Sequence, residues 1–358
     1  MVGGRETGNE TYVKGLIDGL VARGDDDLDL VVYHVGAEWT TSSPRLRFQR
    51  LLTANPYVRL GAELPLRSLA QRLDLLHMTY GAPAWSAAPV VVTVHDICYA
   101  TNPEWFSPRD VRVLSAVVPW SIRKAAHVIT VSEFARRQIV EHYRVAEEKI
   151  SAVPNGPGPG ATPISEEEAR KELAALGLSG QRPYLLAVGN LQPRKNLVRL
   201  LQAFTQLDTG GNELDLVIVG PRHFRAEEVF QAARRRASGQ VHFTGYVSDR
   251  QLAACYRCST AFVLPSLYEG FGLPVIEAMA HGIPVACSDK GALPEVCGDA
   301  AVLFDPRSVD AIADAVNRIL ADSELRQRLS RAGKARAALF SWKRSADLTV
   351  AIYEKALS

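Results

Sequence analysis

The chain has 358 residues, of which 47% are hydrophobic and 22% are charged. This length is about twice the roughly 150 residues of an average domain, so we expect two domains, each with its own core. The composition excludes a disordered chain, a collagen-like chain and a small disulfide scaffold. The formal net charge of +2 indicates no general attraction to nucleic acid. No apolar run reaches the ~18 residues that a membrane span needs.

The first half of the chain alternates between helical and strand patterns. Residues 1–9 read as a loop, and Thr11–Arg23 has the period of an amphipathic helix. Strands are predicted over Leu28–His34, Leu75–Tyr80, Pro89–Val94 and Ala126–Val131. A further helix follows Ser132, which is a suitable N-cap. Strands that alternate with helices favour a parallel, doubly wound sheet.

The second half repeats this alternation after a break. Proline and glycine alternate over Pro154–Gly160, which excludes the interior of a helix or strand. Strands are predicted over Tyr184–Val188, Leu214–Val219, Val241–Thr244, Ala261–Leu264, Pro284–Cys287 and Ala301–Phe304. We therefore predict an α/β fold with two doubly wound domains, residues 1–160 and residues 161–340, and a helical end.

Two glutamates eight residues apart stand out in the segment Leu264–Pro284. Glu269 lies in a loop after a strand, and Glu277 lies in the first turn of a helix that begins with proline. Open α/β sheets bind ligands at this end of their strands. Gly270 and Gly272 would let the backbone approach a ligand closely. The residues alone are equally compatible with a ligand site and with a capping carboxylate on an amphipathic helix.

Cations follow the first strand of the second domain, and a histidine follows a strand of the first. Arg194 and Lys195 lie at a helix start, where basic charge opposes the helix dipole and suits a diphosphate ligand. A solvated basic turn is the alternative. His95, next to Asp96, stands at the end of an apolar strand. A single histidine is more often structural, although one here would titrate near neutrality.

The pattern E-G-F-G-L-P-x-x-E-A-M-A-x-G-x-P over Glu269–Pro284 resembles the signature of glycosyltransferase family 4, which uses nucleotide sugars with retention of configuration. The resemblance covers essentially the whole chain. It implies the GT-B fold, with two Rossmann-like domains facing a cleft and a final helix, residues 341–358, packed back on the first domain. It also implies transfer of a hexose to a glycan or lipid-linked acceptor in cell-envelope or polysaccharide biosynthesis. Neither a metal nor another cofactor is implied.

The resemblance also assigns roles to single residues. Glu269 and His95 would contact the donor sugar, Lys195 and Arg194 the diphosphate, and Glu277 the ribose hydroxyls. The other donor-binding residues implied are Gly189, Gly245, Tyr246, Gly270, Phe271, Gly272 and Leu273. Gly8 and Asn9 resemble part of a glycine-rich loop near the phosphate and acceptor. The chain departs from the family at Asn190, where many members have arginine, and at Glu10, where many have glycine.

The donor and three rival functions stay open. The segments R-K-N-L and G-Y-V-S-D lean toward GDP-mannose, with UDP-glucose or ADP-glucose as alternatives. A nucleotide-sugar 2-epimerase would lack the glutamate signature, and a nicotinamide-dependent oxidoreductase would need a G-x-G-x-x-G that is missing here. A non-catalytic GT-B protein that binds nucleotide sugars is the third rival.

The cellular location is inferred from the cysteine content and from one basic segment. Five cysteines are few and odd in number for this length, which favours a reducing, cytoplasmic compartment. We expect Cys255 and Cys258, which lie within one helix, to be structural thiols. Arginines interspersed with leucines over Arg45–Arg72 are either a solvated face or a peripheral contact with the inner face of the plasma membrane.

The start of the chain raises one further expectation. A glycine-rich loop that enters a helix normally follows a central strand, but only Met1 and Val2 precede this one. We therefore expect the first strand to be missing, by roughly ten to fifteen residues at ordinary strand lengths. The sheet of the first domain should then be weakened at its centre.

Overall fold

The computed structural model describes residues 7–25, 27–36, 41–178, 182–208, 210–211, 213–234 and 241–358. The chain divides into two compact units. Unit 1 comprises residues 1–103, 108–156 and 341–358, and unit 2 comprises residues 104–107 and 157–340. The border after Gly156 falls inside the proline- and glycine-rich segment Pro154–Gly160.

The described residues of unit 1 form six strands and six helices ahead of the border. The strands are β1 (Leu30–His34), β2 (Leu46–Arg50), β3 (Leu76–Thr79), β4 (Val90–Thr93), β5 (His127–Thr130) and β6 (Ile150–Ala152). The helices are α1 (Thr7–Arg23), α2 (Pro56–Val58), α3 (Leu64–Ala70), α4 (Cys98–Thr101), α5 (Pro108–Lys124) and α6 (Glu133–Tyr143), with a π-helical turn Arg59–Glu63 between α2 and α3. Short 3₁₀ turns cover Pro103–Trp105 and Glu147–Lys149.

All the described strands of unit 1 pair in parallel, but they form two sheets. One sheet has the order β1-β2 and the other the order β3-β4-β5-β6. The described strands of unit 1 are therefore divided between two separate sheets. Residues 1–6, where the expectation of a missing strand falls, lie outside the described residues.

Helix α1 corrects one sequence prediction. It begins at Thr7 rather than Thr11, so Gly8 and Asn9 lie in its first turn and not in a loop. The physical reason is Glu10, whose carboxylate lies in the first turn, where it is favoured by the helix dipole. Glu10 also forms an i,i+4 ion pair with Lys14 at 2.7 Å, which stabilises the added turn.

Unit 2 follows the same alternation with a larger sheet. Its helices are α7 (Glu166–Ala175), α8 (Leu197–Phe204), α9 (Glu227–Arg234), α10 (Asp249–Cys258), α11 (Leu273–Ala280), α12 (Leu293–Cys297), α13 (Val309–Ala321) and α14 (Ser323–Ala337). Its strands are β7 (Tyr184–Val188), β8 (Asp215–Val219), β9 (Val241–Gly245), β10 (Ala261–Leu264), β11 (Val285–Ser288) and β12 (Val302–Phe304). They form one parallel sheet in the order β12-β11-β10-β7-β8-β9, with 3₁₀ turns at Pro159–Ala161 and Pro193–Lys195.

The inner strands of unit 2 are mostly apolar because helices cover both faces of the sheet. Every residue of β10 and β11 is buried. One core cluster joins β7, β8 and β10 to α8 and α13. Cys255 and Cys258 lie within α10 as free thiols.

The last helix, α15 (Trp342–Leu357), belongs to unit 1 and packs on α1. Two glycines of α1 permit this approach. A Cβ at Gly15 would lie 2.0 Å from Cε2 of Trp342, and a Cβ at Gly19 would lie 2.3 Å from the carbonyl oxygen of Trp342. None of the helices in the described ranges is both long and apolar enough to span a membrane.

Candidate active site

The candidate site of unit 2 lies where the strand order reverses. β7 is the first strand of the unit, and the chain adds β8 and β9 on one side of it and β10, β11 and β12 on the other. The loops that follow β7 and β10 therefore diverge at the carboxyl edge of the sheet. Such a switch point is the usual ligand crevice of an open α/β sheet.

A buried ion cluster joins these two loops. Nζ of Lys195 lies 2.6 Å from Oε1 of Glu269, and Nη1 of Arg194 lies 2.9 Å from Oε2. The hydroxyl of Ser266 donates to Oε1 at 2.7 Å. Lys195 and Glu269 are each only 6% exposed. The structure thus brings together three of the residues that the sequence singled out.

Glu269 is ionised in this setting. Burial alone would raise the pKa of its carboxyl group. The charges of Lys195 and Arg194 and the hydrogen bonds from Lys195 and Ser266 outweigh burial and lower the pKa to about 2. The site therefore offers a fixed carboxylate and two fixed cations to a polar ligand.

Asn196 holds the two loops together, and sequence reasoning missed it. Its backbone is left-handed, with φ 57°, a conformation that asparagine tolerates better than most residues. Its Nδ2 donates to the carbonyl oxygens of Pro265 at 3.0 Å and of Pro306 at 2.7 Å. The sequence pattern that could have identified Asn196 is an asparagine that directly follows two cations and precedes a helix.

Glycines make room for the cluster. A Cβ at Gly189 would lie 2.8 Å from Cε of Lys195, so this glycine lets the lysine fold back over the end of β7. A Cβ at Gly291 would lie 2.7 Å from the carbonyl oxygen of Glu269, and the N–H of Ala292 donates to that oxygen at 2.9 Å. Gly291, with φ 68°, is a second positioning residue that the sequence did not reveal.

The second glutamate occupies a different environment. Glu277 lies in α11, and its Oε2 accepts a hydrogen bond from the hydroxyl of Tyr256 at 2.8 Å. A Cβ at Gly160 would lie 3.0 Å from Cδ of Glu277 and 2.9 Å from Cε2 of Tyr256. Nε2 of His281 donates to the carbonyl oxygen of Gly160 at 2.8 Å, and its ring stacks on that of Tyr256 at 6.0 Å. The four residues form one closed cluster.

Burial dominates the titration of Glu277. It raises the pKa of the carboxyl group to about 7, since the hydrogen bonds from Tyr256 and the backbone of Gly160 only partly offset it. Asp249 raises the pKa further. Glu277 therefore changes its charge near neutral pH.

The other residues of unit 2 that the sequence analysis singled out divide into packed and accessible ones. Phe271 is buried and contacts Phe340 at 5.7 Å. Gly272 is the N-cap of α11, and a Cβ there would lie 2.7 Å from Cδ2 of Leu293, so its lack of a side chain serves packing. Gly270 is buried and Leu273 is half-buried. Gly245 ends β9 at the same sheet edge, and Tyr246 after it is 57% exposed.

His95 lies in unit 1, just after β4. The rings of Tyr12 and Tyr80 pack edge-on against its imidazole at 4.6 Å and 5.5 Å. Burial, above all, lowers the pKa of His95 to about 3, so the ring is neutral at pH 7. Among the described residues, its buried Nε2 has no hydrogen-bond partner. This histidine is thus a neutral group with one ring nitrogen that accepts or donates no hydrogen bond among the described residues.

Within the described ranges, no three His, Cys, Asp or Glu side chains are placed to hold a metal ion together. The polar groups around Glu269 and Glu277 in unit 2 are cations and carboxylates, and His95 in unit 1 is a neutral imidazole. Such groups suit a polyhydroxylated, phosphorylated ligand, because carboxylates accept from hydroxyl groups and fixed cations bind phosphate oxygens.

Two protein-family models match most of the chain. The model described as Glycosyltransferase Family 4 matches residues 7–157, and the model described as Glycosyl transferases group 1 matches residues 168–336. The O-antigen chain mannosyltransferase B of Escherichia coli is 35% identical over 266 residues, which are 74% of this chain and 70% of that protein. The chain therefore belongs to glycosyltransferase family 4.

A second relative and two solved structures agree. The MMP alpha-(1->4)-mannosyltransferase of Mycolicibacterium hassiacum is 33% identical over 245 residues, 66% of this chain and 56% of that protein. Sucrose-phosphate synthase from Thermosynechococcus elongatus has a TM-score of 0.76 at 24% identity, covering 97% of this chain and 93% of that chain. Anabaena HepE in complex with UDP-glucose has a TM-score of 0.74 at 19% identity, covering 99% and 98%. The chain is similar to mannosyltransferases and has the GT-B fold.

Proposed function

We propose that this glycosyltransferase moves a mannosyl group from GDP-mannose, with retention, to a glycan or lipid-linked acceptor of a cell-envelope polysaccharide. The observation that carries this proposal is the buried cluster of Lys195, Arg194 and Glu269 at the switch point of unit 2. We assign the donor mainly to unit 2 and the acceptor mainly to unit 1. The similarity to two mannosyltransferases supports the choice of sugar.

The two cations supply the electrostatic part of the mechanism. The leaving nucleoside diphosphate gains negative charge as its bond to the sugar breaks, and fixed cations stabilise that charge in the transition state. Lys195 and Arg194 are held in place by Glu269 before the donor binds, so little reorganisation is needed at the moment of reaction. Glu269, ionised at neutral pH, can accept hydrogen bonds from sugar hydroxyls.

The reaction we propose is a front-face displacement. The acceptor oxygen bonds to the anomeric carbon, the bond from that carbon to the phosphate oxygen breaks, and the acceptor proton passes to the leaving phosphate. No protein nucleophile is required. Glu269 is poorly suited to that role, because three donors from Lys195, Arg194 and Ser266 already engage its oxygens.

Glu277 and His95 complete the proposed binding machinery. An ionised Glu277 would accept from the two neighbouring hydroxyls of the ribose. His95 would donate or accept a hydrogen bond at the donor sugar through Nε2, in keeping with its neutral state. Catalysis would then rest on positioning and electrostatics, with no proton held by an acid or base of the protein.

A glucose donor is the second candidate. HepE, which shares the fold, has been crystallised with UDP-glucose. A panel of GDP-, UDP- and ADP-sugars read by thermal shift separates the possibilities, because a bound ligand stabilises the folded protein by mass action. We expect GDP-mannose to give the largest shift. A larger shift with UDP-glucose would overturn the choice of mannose, and no response to any nucleotide would favour a non-catalytic protein.

We further propose a peripheral contact between unit 1 and an anionic membrane. A run of large apolar side chains is exposed on the α2–α3 segment and just before it, namely Leu52, Tyr57, Val58, Leu66 and Leu69. Exposed arginines flank them at positions 45, 47, 50 and 72. Apolar side chains beside cations suit insertion at an anionic lipid surface.

Vesicle flotation tests this contact. We expect binding to vesicles that contain phosphatidylglycerol, weaker binding to pure phosphatidylcholine, and a marked loss with Leu66→Asp. Leu339→Asp is the matched control, because Leu339 is an exposed leucine of unit 2. Equal binding by both variants would refute the assignment of this surface.

A further inference from the structure

A chain of hydrogen bonds in unit 1 leads to an aromatic ring that contacts His95, and the proposed mechanism does not use it. Nδ1 of His77 lies 2.6 Å from the hydroxyl of Tyr353, and Nε2 of His77 lies 2.7 Å from Oγ1 of Thr93. Oγ1 of Thr93 also lies 2.8 Å from the hydroxyl of Tyr12. The chain thus joins α15, β3, β4 and α1, and Thr93 makes two of its bonds through one oxygen atom.

The side chains of this hydrogen-bond chain are uncharged at neutral pH. Burial lowers the pKa of His77 to about 4, and burial raises the pKa of the phenols of Tyr12 and Tyr353 above the ordinary value of 10. A neutral imidazole donates at one ring nitrogen and accepts at the other, so Nε2 of His77 either donates to the hydroxyl of Thr93 or accepts from it. Both arrangements need an oxygen atom at this position, because a hydroxyl can donate one hydrogen bond and accept two.

Thr93 also holds the second aromatic ring that packs against His95. The backbone N–H of Tyr80 donates to the carbonyl oxygen of Thr93 at 2.8 Å. Tyr80 has φ 58°, a left-handed conformation that is uncommon for a bulky residue and persists only where its surroundings impose it. Thr93 is 0% exposed and ends β4 two residues before His95. Both rings that contact the imidazole are therefore fixed to this one residue, Tyr12 through its side chain and Tyr80 through its backbone.

We propose that Thr93 is a positioning residue for sugar transfer, and that it sets the orientation of the His95 imidazole through Tyr12 and Tyr80. The proposal rests on the proposed function in assigning His95 to the donor sugar. A group that contacts a substrate must be held within about 0.5 Å of its productive position, and packing and hydrogen bonds behind it provide that support. His95 depends on such support, because its own Nε2 makes no hydrogen bond among the described residues.

Thr93→Val tests this role, because it keeps the shape of the side chain and removes the hydroxyl. We expect kcat to fall at least about tenfold, the scale of one hydrogen bond. The KM for the donor should stay near that of the wild type, since a lower kcat at constant KM marks a contact needed in the transition state. Thr93→Ser restores the oxygen atom and should recover most of the rate. Thr349→Val is the matched control, because Thr349 is an equally buried threonine of unit 1 whose hydroxyl donates to the carbonyl oxygen of Ser345 in its own helix at 2.7 Å.

A double-mutant cycle separates positioning from general stabilisation. If Thr93 acts through His95, Thr93→Val should reduce kcat in the wild type and have little further effect in the His95→Asn background. If Thr93 serves only the stability of unit 1, the two substitutions should reduce kcat by independent factors, and that result would contradict the proposal. Tyr12→Phe removes the bond to Thr93 and keeps the ring, so it gives the same comparison if Thr93→Val does not fold.

The orientation of His95 can also be measured by NMR without any substrate. The resonance of the ring proton on Cε1 of His95, assigned by its disappearance in His95→Asn, reports the position of the imidazole relative to the two neighbouring aromatic rings. We expect this resonance to shift in Thr93→Val and to keep its wild-type position in Thr93→Ser and Thr349→Val. An unchanged resonance in folded Thr93→Val would overturn the proposal. A shifted resonance in a chain that transfers no sugar would support the positioning of His95 by Thr93 and refute the proposed function alone.

Discussion

The two glutamates of one short motif show how strongly the surroundings decide the chemistry of a side chain. Both Glu269 and Glu277 are buried to a similar degree. Glu269 faces two cations, and its pKa falls to about 2. Glu277 faces a phenol, a backbone amide and a distant carboxylate, and its pKa rises to about 7. The first is a permanent anion at neutral pH, and the second titrates there.

The contributions of the two carboxyl groups to stability also depend on pH in opposite directions. For Glu269, the pKa lies below its ordinary value of 4.5, so its stabilising contribution is present above pH 4.5 and is lost as the pH falls through about 2. For Glu277, the pKa lies above the ordinary 4.5. Its favourable contribution is therefore present below pH 4.5 and is lost as the pH rises through about 7.

The largest expected effect concerns the ion cluster. Lys195→Ala and Glu269→Ala should each reduce the rate of sugar transfer at least about a hundredfold, the scale of losing one transition-state contact. Glu269→Ala should also lower the melting midpoint more than Lys195→Ala does, because it leaves two cations without a counter-charge. Steady-state kinetics and thermal melts check both statements.

Arg170→Ala is the control for the ion cluster, since Arg170 pairs with Glu166 on the exposed surface of unit 2. It should leave both the rate and the midpoint nearly unchanged. Near-normal transfer by the Lys195 or Glu269 variant would refute the site assignment.

Glu277→Gln should have a smaller functional effect than the substitutions in the ion cluster. In contrast to Glu269→Ala, it should raise the melting midpoint. Losing a charged acceptor for the ribose hydroxyls should weaken donor affinity by roughly tenfold or more, from the 1.5–3 kcal/mol of a hydrogen bond to a charged group. The melting midpoint of the variant should exceed that of the wild type at pH 8, and the difference should be smaller at pH 5. The reason is that burial disfavours only the ionised form of Glu277. Melts across that range check the sign, and a constant difference would contradict the raised pKa.

Tyr256→Phe should give the smallest change, which is a shift in the pH dependence of donor affinity. The hydroxyl of Tyr256 lowers the pKa of Glu277, so its removal should move the pH at which donor affinity rises upward by about one unit. The titratable groups near Glu277 are Asp249 on α10 and His281 at the C-cap of α11. Burial first of all, and the charges of Arg257 and Lys334, lower the pKa of His281. If donor affinity fell but the midpoint of its pH dependence did not shift, Tyr256 would have a packing role only.

The sequence predicted the six described strands of unit 2 in their order, but it missed β2 and β6 of unit 1. It also predicted the charged residues that form the ion cluster. Lys195 and Glu269 are charged residues at strand ends, and that pattern is visible without a structure. Asn196, Gly291 and Tyr256 could not be predicted, because their roles depend on which distant backbone or side chain packs against them. Gly8 and Asn9 were misplaced because glycine suggested a loop, whereas the Glu10–Lys14 pair extends the helix.

The central claim is that the cluster of Lys195, Arg194 and Glu269 binds the donor diphosphate. Calorimetric titration of GDP-mannose into the wild type, Lys195→Ala and Lys171→Ala tests it directly, because Lys171 is an exposed lysine of the same unit. We expect wild-type affinity for Lys171→Ala and a loss of at least about tenfold for Lys195→Ala, the scale of one charge-assisted contact. Equal affinity of all three proteins would contradict the account.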